Sequence, residues 1–273
     1  MPETQGPSPA MELREVTASS AGYQILSGAS VSFPQGLCSV VMGAAGSGKS
    51  TMLKLVAGLV VPDSGTVLFR GADMARFGRK EEFAFRASSG FVFQDAALWA
   101  DTTILGNVAM PLRVHKAWMG ESAIAEAVRV ILGKLGYDEG MAMRPAELSS
   151  GEQKIVSIAR AVIHDPDIVF MDDPTSNLDE DAVEKVYQLI DELRLKKRTI
   201  IIMANSSELA YRCADRLGVI KGKRVAAFGT YEETVGSAEE ALAGSLARLK
   251  ARGSRLKSCP DGNGAENSQR GDV

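Results

Sequence analysis

The chain has only two histidines, His115 and His164, in 273 residues. That scarcity argues against a His-based metal centre and against a Ser-His-Asp triad. Its three cysteines, Cys38, Cys213 and Cys259, are far apart in sequence and make no C-x-x-C pair. Neither a disulfide framework nor a zinc site is expected, and a reducing compartment is the default. No apolar run reaches the ~18 residues that a membrane-spanning helix requires, so any membrane role must pass through a partner. Basic residues are not in excess. There are 31 Lys and Arg against 34 Asp and Glu, a formal net charge of −3, which argues against nucleic acid as the main partner. The opening "MPETQGPSPAMELREV" has neither the positive start nor the apolar centre of a signal peptide.

What is present suits a globular protein. With 45% hydrophobic and 24% charged residues, the chain can bury a sizeable core as one large domain, or one domain with a subdomain. Residues 1–10, rich in Pro and polar side chains, are expected to be disordered. Short strands follow in "MELREVTAS", "GASVSFPQG" and the buried-type run "LCSVVM". A helix is expected over 49–59, then strands in "GTVLFRG" and "GFVFQ", and a mostly helical block over about 95–160. Beyond it come the strand "DIVFMDD", a helix over 180–195, the strand "RTIIIMAN", a helix over 206–214 and the strand "RLGVIKGKRVAAFG". Strands alternating with helices indicate an α/β fold with a mixed, mostly parallel sheet. The folded part is expected to end near residue 236. A helix is expected over 238–252, with a disordered tail after Gly253.

Residues 43–50, "GAAGSGKS", fit G-x-x-x-x-G-K-[ST] between a predicted strand and a predicted helix. In that setting backbone amides of Gly43, Ala44, Ala45, Gly46, Ser47 and Gly48 cradle phosphates, assisted by the positive end of the helix dipole. Lys49 reaches the β- and γ-phosphates, the Ser50 hydroxyl binds Mg²⁺, and Thr51 completes the loop. ATP and Mg²⁺ are therefore the expected ligands. Asp172 and Asp173 end an apolar run, "IVFM", a suitable place to hold a metal ion beside phosphate.

Many unrelated nucleotide hydrolases carry this loop, and three further motifs narrow the field. "LSSGE" at 148–152 stands before a helix; Gln94 follows a strand; "SNLD" ends in Asp179. Their order resembles the ATP-binding cassette (ABC) family, whose signature is LSGGQ, over about 11–235. The resemblance implies a P-loop NTPase core with an N-terminal antiparallel β subdomain and an inserted α-helical subdomain. It implies two copies meeting head to tail, with ATP between the phosphate loop of one and Ser149 and Gly151 of the other. Gln94 would join Ser50 and Asp172 at the metal. Tyr23, near the family's adenine-stacking aromatic, could take that place. Read alone, "LSSGE" is equally a helix cap.

The chain departs from the family where hydrolysis is performed. Asp173 stands where the family has a Glu that activates water. Being one methylene shorter, its carboxylate falls short by about 1 Å, a misplacement able to cost about 10²-fold. Asn205 stands where the family has a His, and Glu152 adds an acid to the signature. Slow ATP hydrolysis is expected, with Asp173, Gln94 and Asn205 as its catalytic residues.

A single cassette without a membrane span is similar to the separate ATPase subunit of a transporter. Residues 90–113, "GFVFQDAALWADTTILGNVAMPLR", are similar to the lipid-trafficking branch of Mla or Mce type. That resemblance implies four things: a membrane permease partner; a second cassette subunit, identical or not; a lipid-carrier protein; and a place on the cytoplasmic face of the inner membrane. Leu98, Trp99 and Val108 would form the docking surface, or else ordinary core. A rival reading is a regulatory or scaffold cassette docked on a membrane partner, binding ATP with little hydrolysis.

Overall fold

A computed structural model describes residues 9–137 and 140–237. The expected helix over 238–252 and the tail lie outside the described residues, as do residues 1–8. Among the described residues the strands are β1 (Pro9–Ser20), β2 (Tyr23–Pro34), β3 (Cys38–Gly43), β4 (Ser64–Phe69), β5 (Ala72–Asp73), β6 (Ser89–Val92), β7 (Ile168–Asp172), β8 (Thr199–Met203), β9 (Arg216–Lys221) and β10 (Arg224–Gly229). The helices are α1 (Lys49–Val56), α2 (Arg79–Ala87), α3 (Ile104–His115), α4 (Glu121–Lys134), α5 (Ser150–Val162), α6 (Glu180–Leu195), α7 (Ser207–Cys213) and α8 (Tyr231–Ser237).

Two sheets result. The order β2-β1-β4-β5 makes an antiparallel sheet, and β10-β9-β3-β8-β7-β6 makes a mixed one. In the second, β6, β7, β8, β3 and β9 run parallel and only β10 is antiparallel. Every residue of β7 and β8 is buried, as expected for central strands covered on both faces. Alternation then divides the core. Val169 and Met171 of β7, with Ile200 and Ile202 of β8, pack under α3–α7. Ile168, Phe170, Ile201 and Met203 face α1 and the antiparallel sheet.

The inserted helices α3, α4 and α5 begin at Ile104, so residues 95–103 of the expected helical block are loop. Helix α5 lies against β6 so closely that a Cβ on Gly90 would fall 1.9 Å from the Ala161 carbonyl oxygen. Two further expectations need correction. The run 216–229 is not one strand but the hairpin β9–β10, because Gly222 (φ 57°) and Lys223 (φ 67°) both take left-handed backbone and reverse the chain. Strand β1 begins at Pro9, inside the segment expected to be disordered, because Ala10 and Met11 are buried in the core. Helix α2 was hidden by its composition: "RKEEFAFRA" buries only Phe85.

Candidate functional site

The loop from β3 to α1 follows the phosphate-loop geometry. Gly46 (φ 75°) and Gly48 (φ 98°) are left-handed, where a side chain is strained. Gly43 has a different reason: its Cβ would meet the Ile220 carbonyl oxygen at 2.8 Å and Ser47 Oγ at 2.7 Å. The N-terminus of α1 carries no side-chain cap, which leaves its first amides available to an anion. Lys49 folds over the loop, its Nζ donating to the carbonyls of Gly43 (2.8 Å) and Ala44 (3.0 Å). Burial lowers its pKa, while the charges of Asp173 and Asp172 raise it.

Strand β7 delivers the acids. Ser50 Oγ donates to Asp172 Oδ1 at 3.1 Å. Burial pushes the Asp172 pKa up, and the Ser50 hydrogen bond pulls it down. A hydroxyl and a carboxylate converging beside the loop, with Gln94 lining the same cleft, form an all-oxygen donor set suited to a hard divalent cation. Asp173 has left-handed backbone (φ 47°). Its amide donates to Met203 O of β8, and its Oδ2 accepts from Asn205 Nδ2 at 3.0 Å. Two of the departures from the family pattern, Asp173 and Asn205, are therefore partners in one hydrogen bond. A cleft of about 320 Å³ is lined by Ala45, Gly46, Gly48, Lys49, Ser50 and Thr51 of the loop together with Gln94, Asp172, Asp173 and Asn205.

Ile25 and Met203 also line that cleft and were not anticipated from sequence. Ile25 reaches the loop because a Cβ on Gly48 would touch it at 3.1 Å. Tyr23 does not line the cleft. It opens β2 two residues before Ile25 and is 77% exposed.

Ser149, Gly151 and Asp179 are brought together elsewhere, in a cavity of about 490 Å³ lined also by Asn177 and Lys185. Ser149 caps α5 in a reciprocal pair with Glu152: Glu152 Oε2 accepts from the Ser149 amide (2.7 Å) and hydroxyl (2.5 Å). Glu152 thus turns toward Ser149 rather than away. The hydrogen bond from the Ser149 hydroxyl, then that from its amide, holds the Glu152 pKa down. Ser150 is absent from the left-handed residues, so Ser for Gly there strains nothing. Asp179 caps α6 through Ala182 N at 2.8 Å.

Beside α5, Phe91, Phe93, Trp99, Pro111, Val114 and His164 line a third cavity of about 450 Å³. Trp99 is 49% exposed, whereas Val108 is fully buried. Of the three residues expected to receive a partner, Val108 is core, Leu98 packs partly against it, and Trp99 faces the groove. Buried Asn107 holds the Trp99 loop, accepting from Trp99 N (2.8 Å) and donating to Trp99 O (3.1 Å). No described helix is long and apolar enough to cross a membrane.

Comparison with known proteins agrees with this geometry. Residues 26–176 match the family model described as ABC transporter. The intermembrane phospholipid transport system ATP-binding protein MlaF of Haemophilus influenzae is 31% identical over 228 residues, spanning 83% of this chain and 86% of that protein. Among solved structures, the dimeric ATP-binding cassette MJ0796 bound to ADP and Pi is 28% identical, with a TM-score of 0.75 over 81% of this chain and 98% of that one. CbiO1 of Clostridium perfringens, part of the ABC transporter complex CbiONQ, is 25% identical, with a TM-score of 0.68 over 92% of this chain and 99% of that one.

Proposed function

The chain belongs to the ABC transporter family as an ATP-binding ATPase subunit, and from that premise we propose that it powers phospholipid movement, slowly, as half of a head-to-tail cassette pair docked on a membrane permease. One observation carries the pairing. The phosphate-loop cleft and the Ser149–Gly151 cavity have no lining residue in common. ATP on the loop therefore leaves this chain's signature free, and a second cassette completes each site.

The residues divide the work. Amides of 43–48 and the Lys49 ammonium hold the phosphates. Ser50, Asp172 and Gln94 would hold Mg²⁺, which when bound would neutralise charge on the β- and γ-phosphates. Thr51 supports the loop next to Ser50, and Tyr23 offers an exposed ring for adenine. Ser149 and Gly151 donate to the γ-phosphate held by the other subunit, and Asp179 orders the loop that meets it. Asp173 accepts the proton of the attacking water, and Asn205 orients Asp173.

Slow turnover follows from the Asp173–Asn205 bond. It draws a carboxylate already one methylene short toward Asn205, and a misplacement of about 1 Å can cost about 10²-fold. The groove at Trp99 receives a helix of the permease at the cytoplasmic face of the inner membrane. The likeness to MlaF supports phospholipid as cargo and a lipid-carrier protein as a further partner. Co-purification with a permease, followed by ATP-dependent transfer of labelled phospholipid between vesicles, tests this reading. ATP-independent assembly with a membrane partner and no transfer favours the regulatory alternative.

A further inference from the structure

Helix α5 carries a lysine on its inward face. Lys154 is 1% exposed and lies amid Ile155, Val156 and Ile158 of the core. A buried ammonium is costly unless its hydrogens are used, and here they go to main chain. Nζ donates to the Phe93 carbonyl at 2.9 Å and to the Gln94 carbonyl at 2.6 Å. Six residues further along, Arg160 donates to the Ala96 and Ala97 carbonyls, both at 2.9 Å. Ala96 (φ 62°) and Ala97 (φ 46°) are left-handed alanines, a conformation that persists only where its surroundings impose it. One helix therefore grips four carbonyls of residues 93–97 with two cations. The gripped segment leads from Gln94 in the phosphate cleft to Ala97 in the Trp99 groove.

We infer that Lys154 is a positioning residue: it holds the main chain of Gln94 so that the Gln94 side chain meets the nucleotide site, while Arg160 fixes the same segment at the groove. Phe93 and Gln94 lie beyond the end of β6 at Val92. A merely structural lysine would only satisfy carbonyls left over there. The inference rests on the proposed role of Gln94 at the metal.

A double-mutant cycle on the full chain, reading kcat and KM for MgATP, separates the possibilities. Lys154→Met is expected to lower kcat about tenfold with KM changed less than about twofold, as misplacement of a reacting group would. Gln94→Ala lowers kcat similarly. Combined, the two should fall no more than about twofold below Gln94→Ala alone, since both remove one function. Lys154→Arg, which still donates to two carbonyls, should recover most of the rate. If Lys154→Met does not fold, Lys154→Gln takes its place in the cycle. Losses that multiply overturn the positioning role while leaving that of Gln94 intact. Wild-type kcat in Gln94→Ala overturns the role of Gln94 and the positioning role with it.

Discussion

A Glu152→Gln substitution removes one negative charge from the signature face and leaves the helix start able to form, since Gln serves a capping box as Glu does. Glu152 Oε2 lies 2.5 Å from Ser149 Oγ. To donate to a γ-phosphate oxygen at about 2.7 Å, that hydroxyl, a single donor, must release Glu152 Oε2, and the phosphate oxygen would then lie within about 5 Å of the carboxylate. Two unit charges at that separation repel by about 1 kcal/mol in water and about 3 kcal/mol at an effective dielectric of 20. Glu152 is partly exposed, so the lower figure applies. Two sites per pair give about 2 kcal/mol, a factor of ten or more in the dimer Kd. The assay is sedimentation velocity of the ATP-bound chain in an Asp173→Asn background, which slows loss of the nucleotide. Glu152→Gln should tighten the pair about tenfold at low salt and less at high salt. An unchanged Kd at low salt would refute the idea that this carboxylate opposes closure.

Other consequences are open to direct measurement. Asp173→Glu combined with Asn205→His should raise kcat about tenfold or more, because one added C–C bond restores about 1.5 Å of reach; Asp173→Glu alone should gain less, since the longer acid crowds Asn205. Gly90→Ala sets a methyl 1.9 Å from the Ala161 carbonyl oxygen, so thermal melting should show about 1–3 kcal/mol of lost stability; an unchanged melting temperature would mean that α5 is not seated on β6. Burial drives the His164 pKa from 6.5 to about 4 and lowers that of His115. The unfolded chain then takes up protons that the folded chain refuses. Stability is full above about pH 6.5 and falls toward pH 4 by up to about 1.4 kcal/mol per unit for His164. Denaturant titrations across that range should show a shallower slope in His164→Gln.

Much of the fold was legible because it rests on local patterns. The apolar runs "VVM", "IVFM" and "IIIM" pointed to buried strands, and helix α6 has the expected limits, Glu180–Leu195. The hairpin β9–β10 was missed because its turn, Gly222-Lys223, needs a lysine at positive φ, which its identity does not announce. The phosphate loop, Asp172, Asp173 and Asn205 were readable from motif order, and the cleft brings them together. The helix cap readable in "LSSGE" is present, with Glu152 turned onto Ser149; that Asp173 and Asn205 bond to each other is a side-chain choice a one-dimensional pattern does not contain. Lys154 and Arg160 left a faint trace: cations inside an otherwise apolar helix face.

The central claim is that this cassette binds ATP normally and hydrolyses it slowly through Asp173. Steady-state MgATP hydrolysis by the permease-assembled protein, with Asp173→Asn beside it, tests this most directly. Against a typical kcat of about 10 s⁻¹, a loss of about 10²-fold predicts about 0.1 s⁻¹, rising with cassette concentration and abolished by Asp173→Asn. A rate of about 10 s⁻¹ unaffected by Asp173→Asn would contradict it.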